Sequence, residues 1–172
     1  MSAIINNDST STAYGWAMGG DGTYIRRVAQ SFTLSETTTI SGVKFRAGLT
    51  TGSAFDMTVT IETNNAGAPS GTLADANLTT TVTGESGTGS TQYTASFTTT
   101  SLVAGTYWLV VKKASESTAN NYYQLWGSEG STYAGGNEKV YTSGAWGELG
   151  TSDDMYFQVL GPDETSGFLI FF

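Results

Sequence analysis

Apolar residues in this chain recur at every second position, and almost nowhere at the three-to-four spacing of an amphipathic helix. Between Phe55 and Thr63, the side chains of Phe55, Met57, Val59 and Ile61 share one face, while Asp56, Thr58, Thr60 and Glu62 share the other. Tyr93, Ala95 and Phe97 alternate with Thr94 and Ser96, and Met155, Phe157 and Val159 alternate with Tyr156 and Gln158. Successive side chains of a strand point to opposite faces, so this pattern predicts strands with one buried face. Residues 105–112 are apolar on both faces, which predicts a central strand covered on both sides. Residues 28–34 and 40–47 also read as strands. In the second, Ile40 is out of phase with Val43 and Phe45, so Ser41-Gly42 is expected to form a bulge. Weaker strand patterns cover residues 14–18, 78–83, 121–126 and 139–142.

Turn chemistry separates these segments. Residues 64–71 carry two glycines and a proline and read as a loop, and residues 84–90 are rich in Gly and Ser. One helical turn is expected near residues 73–77. About ten short strands follow, and they predict an all-β, antiparallel sandwich of the jelly-roll kind. The 172 residues suit one domain. The expected organisation is an N-terminal arm with a first short strand (1–27), the sandwich (28–161), and a linker with an apolar strand (162–172).

That last segment ends Phe168-Leu169-Ile170-Phe171-Phe172. Full burial of such side chains is favourable by roughly 1.5–3 kcal/mol each. Ordering the backbone costs about 1–2 kcal/mol per residue, so docking is favoured. These five residues are the candidate subunit-docking strand. A last strand folding into its own sandwich is the alternative.

Several chemistries are ruled out or disfavoured by what the chain lacks. There is no histidine, so a Ser-His-Asp triad cannot form, and no cysteine, so disulfides and thiolate metal sites are absent. Paired carboxylates for glycoside hydrolysis need a defined separation, and nothing in the spacing of Glu62, Glu129, Glu138, Glu148, Asp153 and Asp154 pairs them. A non-enzymatic protein is expected. The net charge of −8 disfavours nucleic acid and anionic membrane surfaces as partners. No basic, apolar leader follows Met1, so synthesis in a cytosol without a signal peptide is expected.

Two further sets of residues are candidates for binding. Tyr122, Trp126 and Trp146, with Asn121 and Gln124, offer flat aromatic faces beside amides, the combination that fits a sugar ring with its C–H face and hydroxyl rim. Most of the rings between Tyr122 and Trp146 would serve equally well as core. No cofactor is expected beyond a structural calcium ion, for which Asp21, Asp153 and Asp154 are the candidate ligands.

The order of segments resembles a known family. Ala29-Gln30-Ser31-Phe32-Thr33-Leu34 is followed by Ile40-Ser41-Gly42-Val43, then by Val59-Thr60-Ile61-Glu62-Thr63 and Gly67-Ala68-Pro69-Ser70-Gly71-Thr72-Leu73. Next come residues 102–110, Tyr123-Gln124-Leu125-Trp126-Gly127, Tyr133-Ala134-Gly135-Gly136 and Asp154-Met155-Tyr156-Phe157-Gln158-Val159. Over about residues 28–161 this resembles a jelly-roll-like β-sandwich family of bacteriophage virion proteins and bacterial surface or anchor proteins. The resemblance implies a virion structural protein (a capsid decoration, head fibre or tail-associated adhesin). Its partners would be other virion subunits in a homo-oligomer or multi-copy assembly, with host glycan as a further contact. The alternative is a carbohydrate-binding module or cell-surface adhesin.

Overall fold

The strand that is apolar on both faces, β9 (Gly105–Lys113), lies between two partners in the middle of a sheet. In this computed structural model, which describes residues 1–9, 14–20, 22–130, 133–148 and 153–163, β9 pairs antiparallel with β3 (Ile25–Leu34) on one side and β5 (Met57–Asn65) on the other. Tyr107, Leu109 and Val111 join the main core, while Trp108 and Val110 pack on the opposite face with Ala29 under Trp146. The sheet continues past β5 to β6 (Ala68–Leu73) and β7 (Thr79–Val82), and past β3 to the hairpin of β11 (Glu138–Thr142) and β12 (Ala145–Gly147).

The second sheet is built around the longest strand, β4 (Thr38–Thr51), which pairs with β8 (Thr91–Leu102), β14 (Phe157–Leu160) and β10 (Asn121–Ser128). β1 (Ala3–Asn7) adds to β14, and β2 (Tyr14–Gly20) and β13 (Asp154–Met155) add to β10. Among the described residues two pairs, Gly19 with Arg26 and Gly20 with Ile25, carry the ladder from β2 into β3 and join the halves. Between them lies one core, in which Phe32, Phe45, Met57, Ile61, Leu109, Tyr123, Leu125 and Phe157 are fully buried. Every strand pairing is antiparallel, and this is the all-β sandwich the alternation predicts.

The count is fourteen strands among the described residues rather than about ten. Two of the additions are edge segments with turn chemistry. Ala66-Gly67, with φ of 48° and 82°, forms a two-residue hairpin turn that sends residues expected to be loop back as β6. Pro69 is tolerated because β6 is an edge strand, where a missing N–H costs no ladder bond. Ser143-Gly144, with φ of 54° and 90°, does the same for β12. The register of β4 shifts between Ile40 and Gly42, at the expected bulge. The stretch near residues 73–77, expected to hold a helical turn, instead ends β6 at Leu73 and continues as a simple turn closed by Leu78 N–H to Asp75 C=O at 3.0 Å. The stretch expected as an arm with a first short strand supplies two sheet strands: β1 at an edge, and β2, over the weak pattern at 14–18, between β10 and β3. The arm is pinned where Arg46 donates to both oxygens of Asp8, at 2.6 and 3.0 Å.

Candidate functional site

From Tyr122 onward strand β10 alternates half-buried and buried residues, so Tyr122, Gln124 and Trp126 face away from the core that holds Tyr123 and Leu125. Across the ladder, Tyr122 stands opposite Gly19, Gln124 opposite Ala17 and Trp126 opposite Gly15. Small residues on β2 leave the larger β10 side chains without tall neighbours. The result is a groove of about 440 Å³ lined by Gly15, Trp16, Ala17, Arg26, Thr50, Tyr122 and Gln124. That volume is within the range of small-ligand sites, about 300–1,000 Å³. The lining offers the Tyr122 ring, an amide, a hydroxyl and a guanidinium, while the Trp16 side chain, opposite core-facing Leu125, packs against the core. Gln124 is oriented by donating its amide N–H to Gly15 C=O at 3.0 Å.

The residues expected to bind sugar are therefore divided. Tyr122 and Gln124 line the groove. Trp126 shares their face, but its indole N–H is buried without a hydrogen-bond partner among the described residues. Asn121 spends its side-chain oxygen on the N–H of Ser53, at 2.9 Å, and so holds the start of the loop after β4. Trp146 belongs to the other sheet, where it packs over Ala29, Trp108 and Val110 and meets the edge of Tyr141. Five groove residues, Gly15, Trp16, Ala17, Arg26 and Thr50, are not in the expected set. They come from segments distant in sequence, and only strand pairing brings them to β10.

A second polar constellation lies inside the sandwich. Glu138 on β11 stands opposite Gln30 on β3, and both side chains are buried. Gln30 is fully committed. Its amide donates to Asp154 Oδ1 at 2.9 Å and to Ser31 C=O at 3.1 Å, and its carbonyl accepts from the Met155 N–H at 2.8 Å. Asp154 Oδ2 accepts the Tyr133 N–H at 2.9 Å, and the Tyr14 hydroxyl donates to Asp153. Burial pushes the Tyr14 phenol upward, and Asp153 reinforces the shift. Among the described residues neither carboxylate oxygen of Glu138 has a hydrogen-bond partner, and the residue is 3 % exposed. Burial, then Asp153, then Asp154, raise its carboxyl well above the usual carboxylate range.

Of the three residues expected to ligate calcium, Asp153 and Asp154 belong to this network, and Asp21 lies outside the described residues. Among the described residues, no group of three acidic or other metal-binding side chains is arranged to hold a metal ion. The docking strand Phe168, Leu169, Ile170, Phe171 and Phe172 also lies outside the described residues.

Comparison with protein-family models, with curated proteins and with solved structures returned no match, so the functional reading rests on this chain's own residues.

Proposed function

We propose that this chain is a non-enzymatic surface-contact module of a larger assembly, of the bacteriophage virion kind its sequence resembles, and that it binds carbohydrate through the groove between β2, β4 and β10. The observation that carries the reading is the convergence of Tyr122, Gln124, Arg26 and Thr50 on one groove. A pyranose presents a C–H patch that packs on an aromatic ring and a rim of hydroxyls that pair with amide, hydroxyl and guanidinium groups. Gln124 is held in place before any ligand arrives, which lowers the ordering cost of binding. Single contacts of this kind are weak, and repeated copies on one particle would multiply them by avidity. The assembly half of the reading draws its support from the apolar run at residues 168–172, whose burial favours a neighbouring surface.

The test is binding of a panel of soluble oligosaccharides to the intact chain and to Tyr122→Ala and Gln124→Ala. Both side chains are half-buried on the outer face, so the variants should keep wild-type unfolding behaviour. Loss of one aromatic platform should weaken binding about tenfold, the equivalent of 1.4 kcal/mol. Binding that is indifferent to both substitutions, or no binding to any saccharide on the panel, would remove the groove from consideration.

A further inference from the structure

The polar groups of the groove are unevenly placed. Among the described residues, Arg26 is the one charged residue of the lining, and no carboxylate stands with it. The chain as a whole runs the other way, with fifteen acidic residues against seven basic ones. The position of Arg26 follows from the ladder. Gly19 on β2 is paired with Tyr122 of β10 on one side and with Arg26 of β3 on the other. Neighbouring strands lie about 4.8 Å apart, so two spacings put Tyr122 and Arg26 about 10 Å from each other across the sheet. The residue between them has no side chain to fill the gap. On the far side of β10, Thr50 sits at the register shift of β4 beside Tyr122. Gln124 follows Tyr122 on the same face of β10.

A sugar ring stacked on Tyr122 therefore meets three different edges. Toward β4 it finds the Thr50 hydroxyl, along β10 the amide of Gln124, and across β2 the guanidinium of Arg26. The NH2 group of Gln124 is anchored on Gly15 C=O, so its oxygen is the atom that accepts from a ligand hydroxyl. Neutral hydroxyls suit the first two edges. The third is a planar fork of five N–H donors with no acceptor, and its best match is a carboxylate, through two parallel N–H···O bonds. Arg26 has a partner in the fold, and one partner does not exhaust five donors. We infer that the groove selects acidic saccharides: the ring stacks on Tyr122, and the carboxylate of a sugar acid is held by Arg26. The inference rests on the carbohydrate reading of the groove and narrows it to one class of ligand.

Charge balance favours a carboxylate over a phosphate. One guanidinium offsets the single charge of a carboxylate, whereas a phosphate monoester carries about −1.5 to −2 at neutral pH and calls for further cations. The described lining holds no second cation. The net charge of −8 opposes any acidic ligand at long range. At physiological salt, exposed charges more than about 8 Å apart are largely screened, so the group in contact decides. Arg26 is half-buried, which shields the contact from part of that screening. The acidic form of a saccharide should then bind about tenfold more tightly than the same saccharide without its charge.

The experiment is calorimetric titration of the intact chain with matched pairs of oligosaccharides. The acidic members are an oligogalacturonide, an oligoglucuronide and a sialylated trisaccharide. Each neutral member is made from its partner by reducing the carboxyl to a hydroxymethyl, so the two share every ring and linkage. The acidic member of at least one pair should bind about tenfold more tightly, and in Arg26→Gln its lead should shrink to about twofold or less. Arg26→Lys should keep part of the preference, because the charge remains and the fork is lost. Equal wild-type affinity for both members of every pair that binds, or a preference for the neutral one, would overturn the inference and leave the groove standing as a carbohydrate site. That comparison needs no variant, so it decides the matter even if Arg26→Gln does not fold. An acidic preference that survives Arg26→Gln intact would also overturn it, since the carboxylate would then be held elsewhere. So would tighter binding of a sulfated neutral oligosaccharide than of any carboxylate, which would mean that the site reads charge and not the planar group. Absence of binding by every member of every pair would remove the groove itself, and the inference with it.

Discussion

Replacing Gln30 with leucine tests how the two sheets are fastened together. Gln30 is fully buried on β3, and its side chain is the polar bridge to β13 in the facing sheet. Leucine nearly matches its volume, so the perturbation is chemical rather than steric. The substitution strips the acceptor from the Met155 N–H and one donor from Asp154 Oδ1, while Oδ2 keeps the Tyr133 N–H. Each stranded buried group costs about 1–3 kcal/mol, with the charged one at the upper end. Burying the leucine returns about 1–2 kcal/mol. The expected net loss is about 2–4 kcal/mol, which for a chain of this size lowers the melting temperature by about 5–15 °C. Urea unfolding followed by tryptophan fluorescence would measure it, read as a lower midpoint at unchanged slope. Gln30→Glu is the informative companion. It adds a carboxyl beside Glu138 and Asp154, so it should be more damaging at neutral pH than in mild acid, where protonation relieves the crowding. A loss below about 1 kcal/mol for leucine, together with a pH-independent effect of glutamate, would refute the view that this amide closes the sandwich.

Two other consequences are open to measurement. A methyl group on Gly136 would come within 2.0 Å of Ser31 O. The loop there is tied to Ser31 by Asn137, through a Ser31 N–H to Asn137 C=O bond at 3.0 Å and an Asn137 N–H to Ser31 Oγ bond at 2.7 Å. Gly136→Ala should therefore cost about 1–3 kcal/mol in equilibrium unfolding, and a neutral result would mean that the loop shifts freely. Deleting residues 166–172 should leave the sandwich folded, with near-wild-type melting, and abolish any higher assembly seen by native mass measurement. A deletion that unfolds the chain would instead make the apolar run a strand of its own domain.

Fold class was legible because it depends on local chemistry. Period-two alternation in β8 matches a buried face and an exposed one, whereas in β5 the polar-face residues Thr60 and Glu62 are buried as well, and the phase slip at Ser41-Gly42 marks a bulge that the pairing of β4 with β8 contains. The edge strands β6 and β12 were harder to see. Their existence rests on two-residue turns in which Ala66 and Ser143, residues without the usual preference for positive φ, take that conformation beside a glycine. The early residues were misleading for a related reason. Residues 14–18 carry only a weak strand pattern because β2 is interrupted by glycine, yet a strand flanked on both sides can hold glycines where its neighbours fill the space.

The sequence alone determined that this chain makes layered antiparallel sheets and cannot run histidine or thiol chemistry, since alternation and composition are properties of the chain read residue by residue. Which side chains share a place was decided by tertiary structure. Tyr122 and Gln124 meet Arg26 and Thr50, while Trp146 is carried to the other sheet, because strand pairing joins residues by register and not by distance along the chain. The same holds for Glu138. Its spacing from Asp153 and Asp154 is unremarkable in sequence, and only the facing sheets enclose the three where water cannot separate their charges.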